Sequence, residues 1–156
     1  MNQYLWRFKE ELSVRGLWRN RQRNRKATQA LPVQENAQLI VYWKKEKIGT
    51  GPSVSLEICG REVVRYDCFG DGLGHYHIFP FDDLRIYFDE KTVHEQIKRS
   101  LSSIRSNHPH YLRNHHSKKV RDVELKPDNL EKSLAEAKKL MIKYAKELEN
   151  DGASFQ

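Results

Sequence analysis

Cysteine is scarce in this chain. Cys59 and Cys68 are the only two, too few for a disulfide framework, and they are not spaced as the C-x-x-C pair of redox and zinc sites. A reducing, cytoplasmic compartment is therefore expected. Long apolar runs are missing as well: nothing approaches the roughly 18 residues a bilayer-crossing helix needs. The opening MNQYLWRFKEEL places Glu10 and Glu11 where a secretory signal would need an unbroken apolar stretch, so neither export nor a membrane partner is expected. No internal repeat, Walker loop, dinucleotide fingerprint or zinc-finger spacing occurs. Hydrophobic residues are 38% of the chain and charged residues 31%. For 156 residues, that balance favours one core of ordinary size, lying mid-chain.

Acidic residues are nearly absent from one end. Residues 1–31 carry eight Lys or Arg against Glu10 and Glu11, whereas the other 125 carry 20 basic and 19 acidic side chains. Most of the net charge of +7 thus belongs to a basic arm. Leu5, Phe8 and Leu12 recur at helical spacing and Gly16 is a natural stop, so residues 3–18 read as a short amphipathic helix. From Leu17 to Asn36 alternating Arg and amide residues with a proline read as an extended linker. Residues 1–36 are accordingly expected to form the arm, 37–150 a single α+β domain, and 151–156 a frayed tail. Arg15, Arg19, Arg21, Arg23, Arg25 and Lys26, interleaved with amides and with Trp18 at hand, combine phosphate-seeking cations with a ring that stacks on bases. Nucleic acid is the expected partner, with an acidic protein as the alternative.

The middle of the chain predicts a small antiparallel sheet of three to five strands. Gln38–Lys44 is β-branched and aromatic, Ser53–Cys59 alternates, and Glu62–Asp67 returns after a turn at Gly60-Arg61. His75–Phe81 and Leu84–Phe88 follow a glycine-rich stretch, with Pro80 marking an edge or an end. Helices then pack on the sheet. Thr92 and Glu95 form a capping box ahead of Val93, Ile97, Leu101 and Ile104, with an end expected near Asn107, before Pro109. After Pro127, Asp128 caps a long helix whose stripe Leu130, Leu134, Ala137, Met141, Tyr144 and Leu148 reads as its own core face, or alternatively as a partner or dimer surface.

Reactive groups are densest from Arg65 to His77. On a strand, His75 and His77 share a face about 6.5–7 Å apart. Such a pair could hold a metal ion, flank a phosphodiester as acid and base, or hydrogen-bond a phosphate. No metal or other cofactor is assigned; an ion would need further ligands, and Asp67 and Asp71 are the nearest. Gly70, Gly72 and Gly74 could form an anion nest, though an ordinary loop looks the same. His108, His110, His115 and His116 read as a solvated loop, and His94 as a surface residue.

The run E-V-V-R-Y-D-C-F-G-D-G-L-G-H-Y-H (62–77), following V-S-L-E-I-C, resembles the TumE-type toxins of prokaryotic toxin–antitoxin pairs over about residues 38–106. Arg65, Tyr66 and Asp67 match that family's strand-ending triplet, and His75 and His77 its H-x-H. The long basic arm and the extra C-terminal helix depart from it. The resemblance implies a growth inhibitor bound by a cognate antitoxin, with RNA as target. Joined to the residue chemistry, it gives the expected site: His75 and His77 as acid/base pair or phosphate ligands, Arg65 stabilising phosphate charge, and Asp67 orienting an imidazole. A non-enzymatic nucleic-acid-binding module and a protein-interaction subunit are the alternatives, and a homo-oligomer stays open.

Overall fold

The computed structural model describes residues 25–79 and 84–152. Its strands are β1 (Arg25–Gln34), β2 (Ala37–Glu46), β3 (Gly49–Ile58), β4 (Arg61–Asp67), β5 (His75–Ile78) and β6 (Ile86–Tyr87). The helices α1 (Val93–Arg113), α2 (Lys118–Arg121) and α3 (Pro127–Gly152) follow. The six strands pair antiparallel in chain order as one open meander. The α+β class and the C-terminal helices are as expected, whereas the sheet has one strand more than the largest number anticipated.

The extra strand comes from the stretch read as a linker. Residues 25–34 pair with β2 through Leu31↔Leu39 and Gln34↔Ala37, so the domain begins before residue 36. Most side chains of this edge strand are exposed, and of its ten residues only Val33 is buried. An edge strand with little to bury carries almost no apolar alternation for the eye to find. The proposed helix over 3–18 and the basic residues Arg15, Arg19, Arg21 and Arg23, with Trp18, lie outside the described residues.

Alternation along β2, β3 and β4 turns Leu39, Val41, Val54, Leu56, Ile58, Val64 and Tyr66 into one core with the helices. Helix α3 lies on β1, β2 and β3, and α1 on β3 and β4. Leu130, Leu134, Ala137, Met141 and Tyr144 are all buried in this core, so the C-terminal stripe is the helix's own packing face. Among the described residues no helix is long and apolar enough to cross a membrane.

Helix α1 opens on the expected capping box, Thr92 Oγ1 accepting from Glu95 N and Glu95 Oε2 from Thr92 N. It does not end near Asn107 but runs through Pro109 to Arg113. Pro109 has no N–H to give the Arg105 carbonyl. The His108 ring fills in, its Nδ1 lying 2.9 Å from the Ile104 oxygen and 3.1 Å from the Arg105 oxygen. Beyond the proline, Tyr111 and Leu112 are buried, which rewards the continuation.

Between β4 and β5 the chain turns through Gly70, at φ 89°, a conformation that favours glycine. Gln96 of α1, fully buried, pins this loop: its Oε1 accepts from Gly70 N at 3.0 Å, and its Nε2 donates to the Gly70 and Glu90 carbonyls at 2.8 and 3.0 Å. The start of β5, and with it His75, is thereby fixed against the helix layer.

Candidate functional site

The sheet face opposite the helices carries polar side chains in two cross-strand rows. Register aligns Tyr42, Ser53, Asp67, His75 and Tyr87 in one, and Ile40, Ser55, Arg65 and His77 in the next. The period of two that buries Val64 and Tyr66 on one side therefore delivers Arg65 and Asp67 to the other. All four residues singled out from the sequence, Arg65, Asp67, His75 and His77, come together here and are buried.

Asp67, fully buried, is the hub. Its Oδ1 accepts from Ser53 Oγ at 2.7 Å, and its Oδ2 from Lys44 Nζ at 3.1 Å and Arg65 Nε at 3.3 Å. Burial by itself would raise the carboxyl's pKa; Arg65, Lys44 and the Ser53 hydroxyl overcome this and hold it well below the usual carboxylate range. Lys44 also pairs with Glu46 at 2.7 Å, and Arg65 with Glu62 at 3.1 Å. Burial works to lower the Arg65 pKa, but Asp67 and Glu62 raise it on balance.

Two imidazoles complete the cluster. His75 and His77 have ring centroids 5.0 Å apart, at 80° to one another. His75 donates from Nδ1 to the Leu73 carbonyl at 2.9 Å, which fixes its tautomer and leaves the Nε2 lone pair directed inward. That Nε2 stands 3.4 Å from Asp67 Oδ2, and His77 Nε2 stands 4.0 Å from it. Neither His75 Nε2 nor His77 Nδ1 has a hydrogen-bond partner among the described residues. Burial lowers both imidazole pKa values; for His77 the guanidinium of Arg65 adds to burial and brings it down to about 4. Both rings are therefore neutral near pH 7.

Sequence reasoning missed Lys44, Ser53 and Tyr87. A lysine ending the apolar run QLIVYWK and the serines of SVSLEI, polar on a buried face, were the available signals. Tyr87 is 54% exposed and its ring lies 5.8 Å from that of His75. Asp71 is elsewhere, exposed and paired with Lys91. Arg25 belongs to the body: it pairs with Glu62 at 3.6 Å and stacks on Tyr42 at 4.1 Å. Lys26 is exposed. A broad groove lined by Gln34, Asn36, Glu57, Cys59 and Lys126 lies elsewhere on the sheet and includes none of the cluster.

The second set of histidines is not one loop. His108 and His110 ride on α1, while His115 and His116 stack at 4.4 Å beyond its end. His94 is exposed, as expected. His115 is 2% exposed, and burial, with His116 and Arg61 beside it, lowers its pKa to about 4. Unfolded chain, with an ordinary value near 6.5, takes up that proton first. The stability contributed by neutral His115 is therefore complete above about pH 6.5 and lost as pH falls toward 4. Urea unfolding at pH 7 and pH 4.5 should show the parent losing about 2 kcal/mol more than His115→Gln over that interval; equal losses would contradict this.

Residues 23–141 match the family model described as a domain of unknown function, DUF7700. The chain belongs to the DUF7700 family. The match spans the whole sheet and the four clustered residues. No curated protein and no solved structure matches the chain.

Proposed function

We propose that this DUF7700 protein is a toxin-like protein acting on nucleic acid, RNA in the first instance, with Asp67, His75, His77 and Arg65 as its reaction centre. One observation carries the proposal: two neutral, buried imidazoles flank a buried carboxylate, His75 with its unpartnered Nε2 3.4 Å from Asp67 Oδ2 and His77 with its Nε2 4.0 Å from that oxygen and its Nδ1 unpartnered, on a sheet face the hydrophobic core does not use. An unpaired buried nitrogen costs about 1–3 kcal/mol, a cost that a fold retains for chemistry rather than for stability.

In this reading each group has a task. Asp67, anchored by Ser53 and Lys44, supplies fixed negative charge to the imidazole side. Arg65, held by Glu62, offsets the charge that builds on a phosphoryl group. Tyr87, exposed next to His75, offers a ring for a base to stack on. The arginines before β1 supply affinity that depends on salt and is indifferent to sequence.

The test is RNA cleavage by the purified chain, alongside growth on expression. His75→Ala and His77→Ala are expected to lower cleavage by about a hundredfold or more and to relieve growth inhibition. Unchanged activity in both sinks the proposal. Arg19, Arg21 and Arg23 changed together to Gln should weaken RNA binding and flatten its salt dependence by about two units of slope. If these arginine changes abolish RNA binding and the parent cleaves nothing, the chain is a binding module instead.

A further inference from the structure

We infer that Asp67, His75 and His77 hold a divalent transition ion of the Zn(II) or Fe(II) class, one per chain. The inference rests on the same centre as the proposed function and assigns its histidines the role of ligands rather than proton carriers.

His75 spends its ring proton on the Leu73 carbonyl, so the nitrogen directed at Asp67 carries a lone pair. A lone pair 3.4 Å from a carboxylate oxygen is repelled unless a cation lies between them. A metal ion fits that gap. Donors bonded at about 2.1 Å around a tetrahedral ion stand about 3.4 Å apart, which is the separation found between His75 Nε2 and Asp67 Oδ2. His77 is near enough to close the set, since one donor atom from each residue lies within 4.8 Å of the others. The backbone carbonyl behind His75 is the outer partner that ligating histidines have. Two imidazoles and one carboxylate with remaining positions open select Zn(II) or Fe(II) over Mg(II) and Ca(II), which prefer all-oxygen shells.

Lys44 and Arg65 sit on the same carboxylate and oppose an incoming cation. Each has a second carboxylate, Glu46 at 2.7 Å and Glu62 at 3.1 Å, so Asp67 can turn a lone pair to the ion without leaving either cation alone. Lys44 is then a competitor for Asp67 Oδ2, and its removal should strengthen ion binding.

The experiment is optical titration of the full chain, stripped with chelator, using Co(II) as the probe. Expected are ligand-field bands saturating at one ion per chain, displaced by Zn(II) and untouched by Mg(II). His75→Gln and His77→Gln should each weaken binding at least about tenfold, the exposed His94→Ala should leave it unchanged, and Lys44→Met should tighten it. Circular dichroism identifies any variant that fails to fold, and the Lys44→Met result stands independently of the histidine variants. No saturable bands, or equal affinity in parent and histidine variants, overturns the inference. Ion binding without RNA cleavage sinks the nucleic-acid proposal and keeps the ion. RNA cleavage by protein that binds no ion does the reverse.

Discussion

Asp67→Ala is expected to lower the unfolding free energy by about 3–5 kcal/mol, seen as a fall in the urea midpoint. The cost does not come from lost packing, since the side chain is small. It comes from what stays behind. Lys44 and Arg65 remain buried with one carboxylate fewer, and Ser53 loses the acceptor for its 2.7 Å hydrogen bond. Glu46 and Glu62 remain as partners, but their side chains are 26% and 14% exposed and more screened by water, so they compensate only in part. Because the damage is a charge left uncompensated, removing one of the stranded cations should repair some of it. The double variant Asp67→Ala with Lys44→Met is expected to regain about 1–2 kcal/mol over Asp67→Ala alone, a coupling that residues sharing one ion-pair network show. Strict additivity would mean that Lys44 and Asp67 do not act as a pair.

Gly51→Ala should be nearly as damaging, by about 3 kcal/mol or more, for a reason of shape alone. A methyl group at Gly51 would lie 2.2 Å from the Cys68 carbonyl oxygen and 3.2 Å from the Phe69 ring. The obstacle is backbone, so no rotamer change relieves it. That carbonyl belongs to the chain just after Asp67, where Cys68 N donates to Pro52 O at 3.0 Å. Pushing β3 and this segment apart would disturb the Ser53 to Asp67 bond as well as the core. A thermal melt checks it. At the exposed turn residue Gly60 a methyl group would meet nothing within 4 Å, but φ there is 72°, so Gly60→Ala should cost about 1 kcal/mol. A Gly51→Ala variant no less stable than Gly60→Ala would contradict the close approach.

Much of the domain could be read from residue order because pattern and packing agree in it. Val54, Leu56 and Ile58 alternate in the sequence and are buried in the core. The stripe from Leu130 to Tyr144 is spaced like a helix face and packs as one. Legibility failed where local chemistry and tertiary context diverge. β1 looks like a linker because an edge strand buries little. The proline rule stops α1 too early because it does not know that His108 supplies the missing donor. The site was half visible: H-x-H on a strand and the neighbouring acid draw attention by type and spacing. Lys44 and Ser53 could not be attached to Asp67 without the register of three strands, which brings residues 44, 53 and 67 to one point. Gln96, the side chain that fixes the loop ahead of His75, gave no sign in sequence, because a lone glutamine in a helix is ordinarily a surface residue.

The central claim is that the buried imidazoles serve chemistry and not the fold. The stability of His77→Leu in metal-free buffer tests it most directly. His77 is 5% exposed with an unpartnered Nδ1, so an apolar side chain there should leave the unfolding free energy within about 0.5 kcal/mol of the parent, or raise it. A loss of about 2 kcal/mol or more in that variant would mean that His77 holds the fold together, and would contradict the account.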